Sequence, residues 1–387
     1  MTYTRVRVLI DYRPALRNPS GVGEYARQLV AGLAGQADVT LFSSSWKDRL
    51  VRPAELSGPN NVGVIDLRIP VSVLNFAWHR LGWPSAESLT DRVFDVTHSL
   101  HPLILPARSA AQVITIHDLN FLAHPERTRA EIRRDYPALA RAHAHRADHI
   151  VVPSRFTKGE VERELGVEPG RISVCAPGAP DWTPRTAAPD PGYILFFGTL
   201  EPRKNVGTLL DAYERLLAMD GPDNPTRRSR VVPELVLAGG ATPESGPWLE
   251  RLARAPLAGR ARHIGYIDPA ARRALYDGAR VLVQPSFEEG FGLPALEAMT
   301  VGVPVVAANR GALPEVVGDA GLLVDPDDSA AMAAAIARMI DDRGLAASCA
   351  AAGVDRARRF HVSSMAEHAV EAYHLAIKHR ATRRPLS

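Results

Sequence analysis

Cysteine is nearly missing from this chain of 387 residues. There are two, Cys175 and Cys349, far apart and not in a Cys-x-x-Cys pair. Neither a disulfide framework nor a cysteine-ligated zinc site follows, and a reducing compartment fits. An excess of one charge is missing too: Lys plus Arg is 46 and Asp plus Glu is 43, a net of +3. That balance lacks the basic stripe that nucleic-acid binding requires, so no nucleic-acid partner is expected. No apolar run reaches the ~20 residues that span a bilayer. The start, MTYTRVRVLI, enters a strand-like segment without the successive regions of a signal peptide. A cytoplasmic protein is expected, with peripheral contact on the inner face of the membrane left open. What is present, 46% hydrophobic and 23% charged residues, is the composition of a folded globular chain long enough for two domains or three.

Short runs rich in Val, Ile and Leu alternate with helical patterns. Val6–Asp11, Asp38–Ser43, Val62–Leu67, Phe94–Thr97, Gln112–His117 and His149–Pro153 read as strands, with a helix over Gly21–Gly35. Continuous apolar runs, not alternating ones, mark buried parallel strands, and strands alternating with helices imply right-handed βαβ units. Ala176–Gly192 (APGAPDWTPRTAAPDPG) is dense in Pro and Gly and has no period, so it reads as a linker. The pattern then restarts with strands at Tyr193–Gly198, Glu234–Gly239, Arg262–Tyr266, Arg280–Pro285, Val303–Ala307 and Gly321–Val324. Helices fall at Asn205–Met219, Pro269–Gly278 and Ser329–Asp341. The expected fold class is α/β: two doubly wound, Rossmann-like domains facing each other across a cleft. Their boundaries are 1–178 and 192–363, joined by a linker at 179–191. A last helix at about 364–379, with Met365, Ala369, Ala372, Leu375 and Ala376 on one face, is expected to pack back on the first domain. The loop Asn224–Arg230 (NPTRRSR) has no interleaved aromatics and reads as surface.

Ligands of open α/β sheets bind beyond the carboxyl ends of the strands, and the motifs lie there. After Val281–Pro285 comes FEEGFGLPALEAM, Phe287–Met299. Pro294 suits the start of a helix and Gly302 the residue just past its end. Gly290 and Gly292 let a ligand approach the backbone, and a helix N-terminus favours a phosphate. Glu289 and Glu297 would repel that phosphate but suit hydroxyl groups. Hydroxyl-rich groups on both sides of a phosphate describe a nucleotide sugar.

This stretch resembles the E-x7-E signature of retaining glycosyltransferases with the GT-B architecture, in particular glycosyltransferase family 4. The resemblance extends along nearly the whole chain. It implies Glu289 on the hydroxyls of the donor sugar, Glu297 on the ribose, and backbone near Phe291–Leu293 along the diphosphate. Glu288 has no part in the signature and is expected to be solvated or structural. Phe197–Asn205 (FGTLEPRKN) resembles the family segment whose basic residues hold the diphosphate. Lys204 matches the family lysine. Many members carry Arg directly after the first glycine, where this chain has Thr199, and Arg203 stands as its substitute. Asn18–Tyr25 (NPSGVGEY) resembles the family's glycine loop, with Gly21 and Gly23 towards the donor phosphate, and fits a plain tight turn equally well.

In Thr115–Leu119 (TIHDL), His117 ends an apolar strand, and the resemblance makes it the active-site histidine with Asp118 orienting its ring. His98 and His101 are further candidates on the acceptor side. Gly265, Tyr266 and Ile267 fall where the family holds the nucleobase. Asp325-Pro326-Asp327-Asp328 imitates a metal-binding D-x-D, but Asp328 reads better as a helix N-cap. No catalytic metal and no cofactor beyond the donor are expected. Glu126–His149 carries Arg127, Arg129, Arg133, Arg134, Arg141 and Arg146, a basic helix that some members use on anionic membranes and that fits a solvated helix. TIHDL and GTLEPRKN resemble members that use GDP-mannose for polysaccharide or O-antigen assembly. The resemblance therefore implies hexose transfer, mannose first, from a nucleotide-sugar donor to a glycan or lipid-linked acceptor. A sugar-nucleotide epimerase of the same architecture and a non-catalytic nucleotide-sugar binding protein share these motifs. Donor turnover without acceptor marks the first, and binding without turnover the second.

Overall fold

The computed structural model describes residues 5–16, 21–46, 48–50, 62–123, 130–219 and 232–383, without the side chains of 123–135. Asn18–Ser20, Arg127, Arg129 and the loop Asn224–Arg230 lie outside the described residues, as do the side chains of Arg133 and Arg134. The chain divides into two compact units, residues 1–178 with 360–387, and residues 179–359.

The first unit holds seven strands: β1 (Arg7–Asp11), β2 (Asp38–Ser44), β3 (Gly63–Leu67), β4 (Val96–Ser99), β5 (Ala111–Thr115), β6 (His149–Val152) and β7 (Ile172–Val174). All pair in parallel, in the order β3-β2-β1-β4-β5-β6-β7. The reversal between β1 and β4 is the switch point of a doubly wound sheet. β1 is buried along Val8, Leu9 and Ile10, as a central strand covered on both faces must be. β4 begins at Val96, two residues later than its apolar run, because Asp95 is turned to Arg7. That carboxylate accepts from the Arg7 backbone N–H at 2.8 Å and from Nη2 at 2.7 Å. β7 is three residues long between turn formers, too short to show a period.

The final helix, Val362–Arg383, belongs to this unit. Met365, Ala366, Ala369, Ala372, Tyr373 and Ala376 are buried, a stripe at helical spacing. Helix Gly21–Leu33 crosses it at Gly32, where a Cβ would stand 2.8 Å from the Val362 carbonyl, so only glycine permits the approach. The Tyr373 hydroxyl reaches Nδ1 of His98 at 2.8 Å, tying the helix to β4.

The second unit holds β8 (Tyr193–Phe197), β9 (Glu234–Ala238), β10 (Ala261–Gly265), β11 (Ala279–Gln284), β12 (Val305–Ala308) and β13 (Leu322–Val324). The order is β10-β9-β8-β11-β12-β13, again all parallel. Helices Val206–Ala218 and Ser329–Asp341 bury Leu209, Leu210, Tyr213, Met332, Ile336 and Met339 in one core with β8, β9 and β11. Asp328 caps the second of these, accepting from Ala330 N and Ala331 N at 2.9 Å each. Residues 179–191 run with this unit: Arg185 N donates to Val301 O at 3.1 Å, and the Trp182 ring lies 5.9 Å from that of Tyr276.

Candidate functional site

The carboxyl ends of β8, β9 and β10 are stitched together by main-chain bonds. Gly198 N donates to Ala238 O at 2.9 Å, and Gly239 N donates to Gly265 O at 2.8 Å. Gly239 has φ +132°, and a Cβ there would collide with the Gly198 carbonyl. Thr199 follows, exposed; Gly265 takes φ +72° and turns the chain so that Tyr266 is exposed and Ile267 half-buried. These loops form one edge of the second unit.

The next loop holds the charges. Helix Leu293–Val301 begins at the N-cap Gly292, whose φ of +106° and whose approach to Leu313 exclude a side chain. Pro294 is its second residue, one place later than the sequence implied. The helix N-terminus expected to favour a phosphate does not have all its first-turn N–H groups open, because Ala295 N is taken by Gln284 Oε1 at 3.1 Å. Phe291 and Gly290 are buried, and Leu293 is half-buried.

Glu289 is buried and receives three donors on one oxygen: Lys204 Nζ at 2.5 Å, Ser286 Oγ at 2.8 Å and Gln284 Nε2 at 2.9 Å. Its other oxygen is 3.8 Å from Arg203 Nη1. Burial alone would raise its pKa, but Lys204, and after it Arg203, hold it down at about 2. Burial and the neighbouring Arg203 lower the Lys204 ammonium, while Glu289 opposes them. The two loops meet because Phe287 N donates to Arg203 O at 2.9 Å and Asn205, with φ +56°, donates from its amide to Pro285 O at 3.0 Å and Pro326 O at 2.7 Å. Arg203, Lys204 and Glu289 are thus brought into contact by strands β8 and β11, which are neighbours in the sheet.

Glu297 stands apart in a second network. It is buried, accepts from Tyr276 OH at 2.8 Å and faces Arg272 Nη1 at 3.2 Å. Burial, and then the Glu297 charge, push the Tyr276 phenol well above its ordinary range. Both partners pack on Phe197, the residue before Gly198, at 5.9 Å each. Glu288 is also buried, not solvated. Asp325 and Asp327 both face Arg310, at 3.5 and 3.0 Å.

Sequence reasoning did not reach Gln284, Ser286, Arg272 or Tyr276. Gln284 carried a signal: it is the polar end of the apolar strand ARVLVQ. Arg272 and Tyr276 are a buried i, i+4 pair on helix Pro269–Asp277, which shows only once Glu297 is placed opposite.

In the first unit, His117 lies two residues beyond β5 and is half-buried. Its Nε2 donates to Leu100 O at 3.3 Å, and its ring meets Tyr25 edge-on at 4.9 Å. Burial lowers its pKa to about 4 against the opposing pull of Asp118, so the ring is neutral at pH 7. The Asp118 carboxylate accepts from Asn120 N at 3.2 Å, closing its own turn. His98 is fully buried, with Thr115 Oγ1 at 2.8 Å on Nε2 and Tyr373 on Nδ1, which makes it a core residue. His101 Nε2 lies 3.2 Å from Asp11, which Arg13 clamps at 2.5 Å. Gly21 and Gly23 open helix Gly21–Leu33, and a Cβ on Gly23 would stand 3.0 Å from the Pro14 carbonyl. Among the described residues no helix is long and apolar enough to cross a membrane.

Two family models match this chain. One described as Glycosyltransferase Family 4 covers residues 19–181, and one described as Glycosyl transferases group 1 covers residues 191–342. The chain is 31% identical over 389 residues to the O-antigen chain mannosyltransferase B of Escherichia coli, covering 96% of this chain and 100% of that protein. Its fold is similar to the sucrose-phosphate synthase of Thermosynechococcus elongatus, with TM-score 0.71, 22% identity, and 95% and 98% of the two chains covered. It is also similar to Anabaena HepE solved in complex with UDP-glucose, with TM-score 0.66, 18% identity, and 94% and 98% covered. Two matched halves, a relative similar from end to end and this α/β fold agree: the chain is a GT-B glycosyltransferase and belongs to glycosyltransferase family 4.

Proposed function

We propose that the chain transfers mannose from GDP-mannose, with retention of configuration, to a hydroxyl of a glycan or lipid-linked acceptor. The observation that carries this reading is the buried Lys204–Glu289 pair beside Arg203 and the Gly290–Gly292 loop. An ammonium has three donors. Lys204 keeps one on Glu289 and offers the others to the donor diphosphate, with Arg203 adding charge where the leaving group becomes negative. Glu289, held ionised, keeps one oxygen for the sugar hydroxyls. Glu297, held by Arg272 and Tyr276, accepts from the ribose diol, and backbone of Thr199 and Gly265–Ile267 borders the nucleobase.

In the step, the acceptor oxygen bonds to the anomeric carbon on the face the diphosphate leaves. The bond from that carbon to the diphosphate oxygen breaks, and the acceptor proton passes to the departing diphosphate. His117, neutral and bonded through Nε2 to Leu100, is assigned a hydrogen-bonding role and not that of an acid. Mannose is favoured because a relative matched over its whole length is a mannosyltransferase of O-antigen chains. The test is GDP release with lipid-linked glycan acceptors, followed by NMR of the product anomer. An inverted anomer would sink the retaining step, and turnover restricted to UDP-sugars would sink the donor.

The peripheral membrane contact falls, in this reading, on residues 71–83 and not on the basic helix Ala130–Arg146. Val73, Phe76, Leu81 and Trp83 are 56–67% exposed there, more apolar surface than a solvated helix leaves open. No Asp or Glu occurs between Asp66 and Glu87, whereas Arg68 and Arg80 are exposed, so the matching surface is an anionic bilayer.

A further inference from the structure

A cavity of about 450 Å³ opens on the second unit, where residues 184–190 cross the amino ends of β11 and β12. The candidate donor loops sit at the carboxyl ends, about 20 Å away along a six-residue strand. One wall is the small-residue side of helix Arg343–Ala357, with Ala346, Ala347, Ala350 and Val354. Arg185 and Arg280 line the same space. Among the described residues both bond only to main-chain carbonyls: Arg185 to Ala279 O at 2.5 Å, and Arg280 to Pro189 O and Ile340 O at 3.4 Å each. Asp190, the carboxylate at the rim, is engaged by Arg343 at 3.1 Å. Burial lowers the pKa of Arg185; Asp277 opposes this, and the like charge of Arg280 adds to it. Asp277 is itself bonded by Arg273 at 3.0 Å. Two guanidinium groups therefore share a half-buried space without a carboxylate of their own, next to an uncharged wall.

We infer that this cavity binds a small phosphomonoester with an apolar body, its head between Arg185 and Arg280 and its body against the alanine wall. Guanidinium forks match phosphate oxygens two at a time, and the volume lies in the range of small-molecule sites. The site is separate from the donor loops and does not depend on how they are read.

The probe is n-octyl phosphate below its micelle concentration, titrated into the full chain by calorimetry, with octyl glucoside as the uncharged control. Binding is expected for the phosphate and not for the glucoside. Loss of two charge-assisted contacts in Arg185→Gln/Arg280→Gln should weaken it at least about tenfold. Lys204→Ala, which removes a cation of the donor loops remote from this cavity, should leave it within about twofold. Should the double variant fold poorly, Ala347→Glu, on an exposed position of the wall, supplies a carboxylate and should abolish binding while raising the melting temperature. Equal affinity in Arg185→Gln/Arg280→Gln, equal binding of the glucoside, or loss in Lys204→Ala instead would overturn the site.

Discussion

Replacing Glu297 by Ala tests the second network. The carboxylate lies 3.2 Å from Arg272 and 2.8 Å from Tyr276 OH, and all three residues are buried. Its removal breaks the buried ion pair with Arg272, which costs about 3–5 kcal/mol. The orphaned phenol adds about 1 kcal/mol. In a unit of this size ~1 kcal/mol moves the melting temperature by about 2–4 °C, so a fall of at least ~8–16 °C is expected. Stability alone does not establish a ribose contact, so the measurement needs a second arm. In Arg272→Met/Glu297→Leu both charges go together, and replacing a buried pair with apolar groups is close to neutral. That variant should melt near the wild type yet bind GDP at least about tenfold more weakly, since an ionised acceptor has been lost. Differential scanning fluorimetry and calorimetric titration read the two quantities. Melting of Glu297→Ala within ~1 °C of wild type would refute the network. Full GDP affinity in the double variant would refute the ribose contact.

Other consequences are smaller in scope. Glu289, held at about 2 against an ordinary 4.5, contributes stability above about pH 4.5 that is lost as the pH falls towards 2. Lys204→Met should flatten that acid transition and weaken donor binding, and an unchanged acid melt would contradict the pairing. Because burial keeps His117 neutral above about pH 4, the rate of transfer should show no inflection from this ring between pH 5 and 8, whereas His117→Ala should slow transfer at every pH. Phe76→Ser/Leu81→Ser/Trp83→Ser should abolish co-sedimentation with vesicles of phosphatidylglycerol and phosphatidylcholine, and undiminished sedimentation would dismiss the patch.

The parts of the fold that local chemistry dictates were legible in the sequence. Buried parallel strands read as continuous apolar runs, Asp328 as a cap, and Gly302 as a terminator with φ +75°. Gly292 marked the loop because its φ of +106° suits no other residue. Side-chain partnerships across the sheet were not legible. Lys204 meets Glu289 from 85 residues away, and Tyr276 and Arg272 come to Glu297 from another helix. A one-dimensional pattern carries no register between β8 and β11, so it names the acids but not the groups that hold them. His98 and His117 show the same limit. His98 lies within β4 and His117 just beyond β5, but two hydrogen bonds in the core take up the first ring, while the second bonds the Leu100 carbonyl.

A calorimetric titration of GDP-mannose into the wild-type chain and into Lys204→Ala tests the central proposal most directly. The account predicts saturable binding to the wild type, tighter than that of UDP-glucose, and at least about tenfold weaker binding once the lysine charge is gone. Binding of GDP-mannose to Lys204→Ala with wild-type affinity, or no binding to either protein, would contradict it.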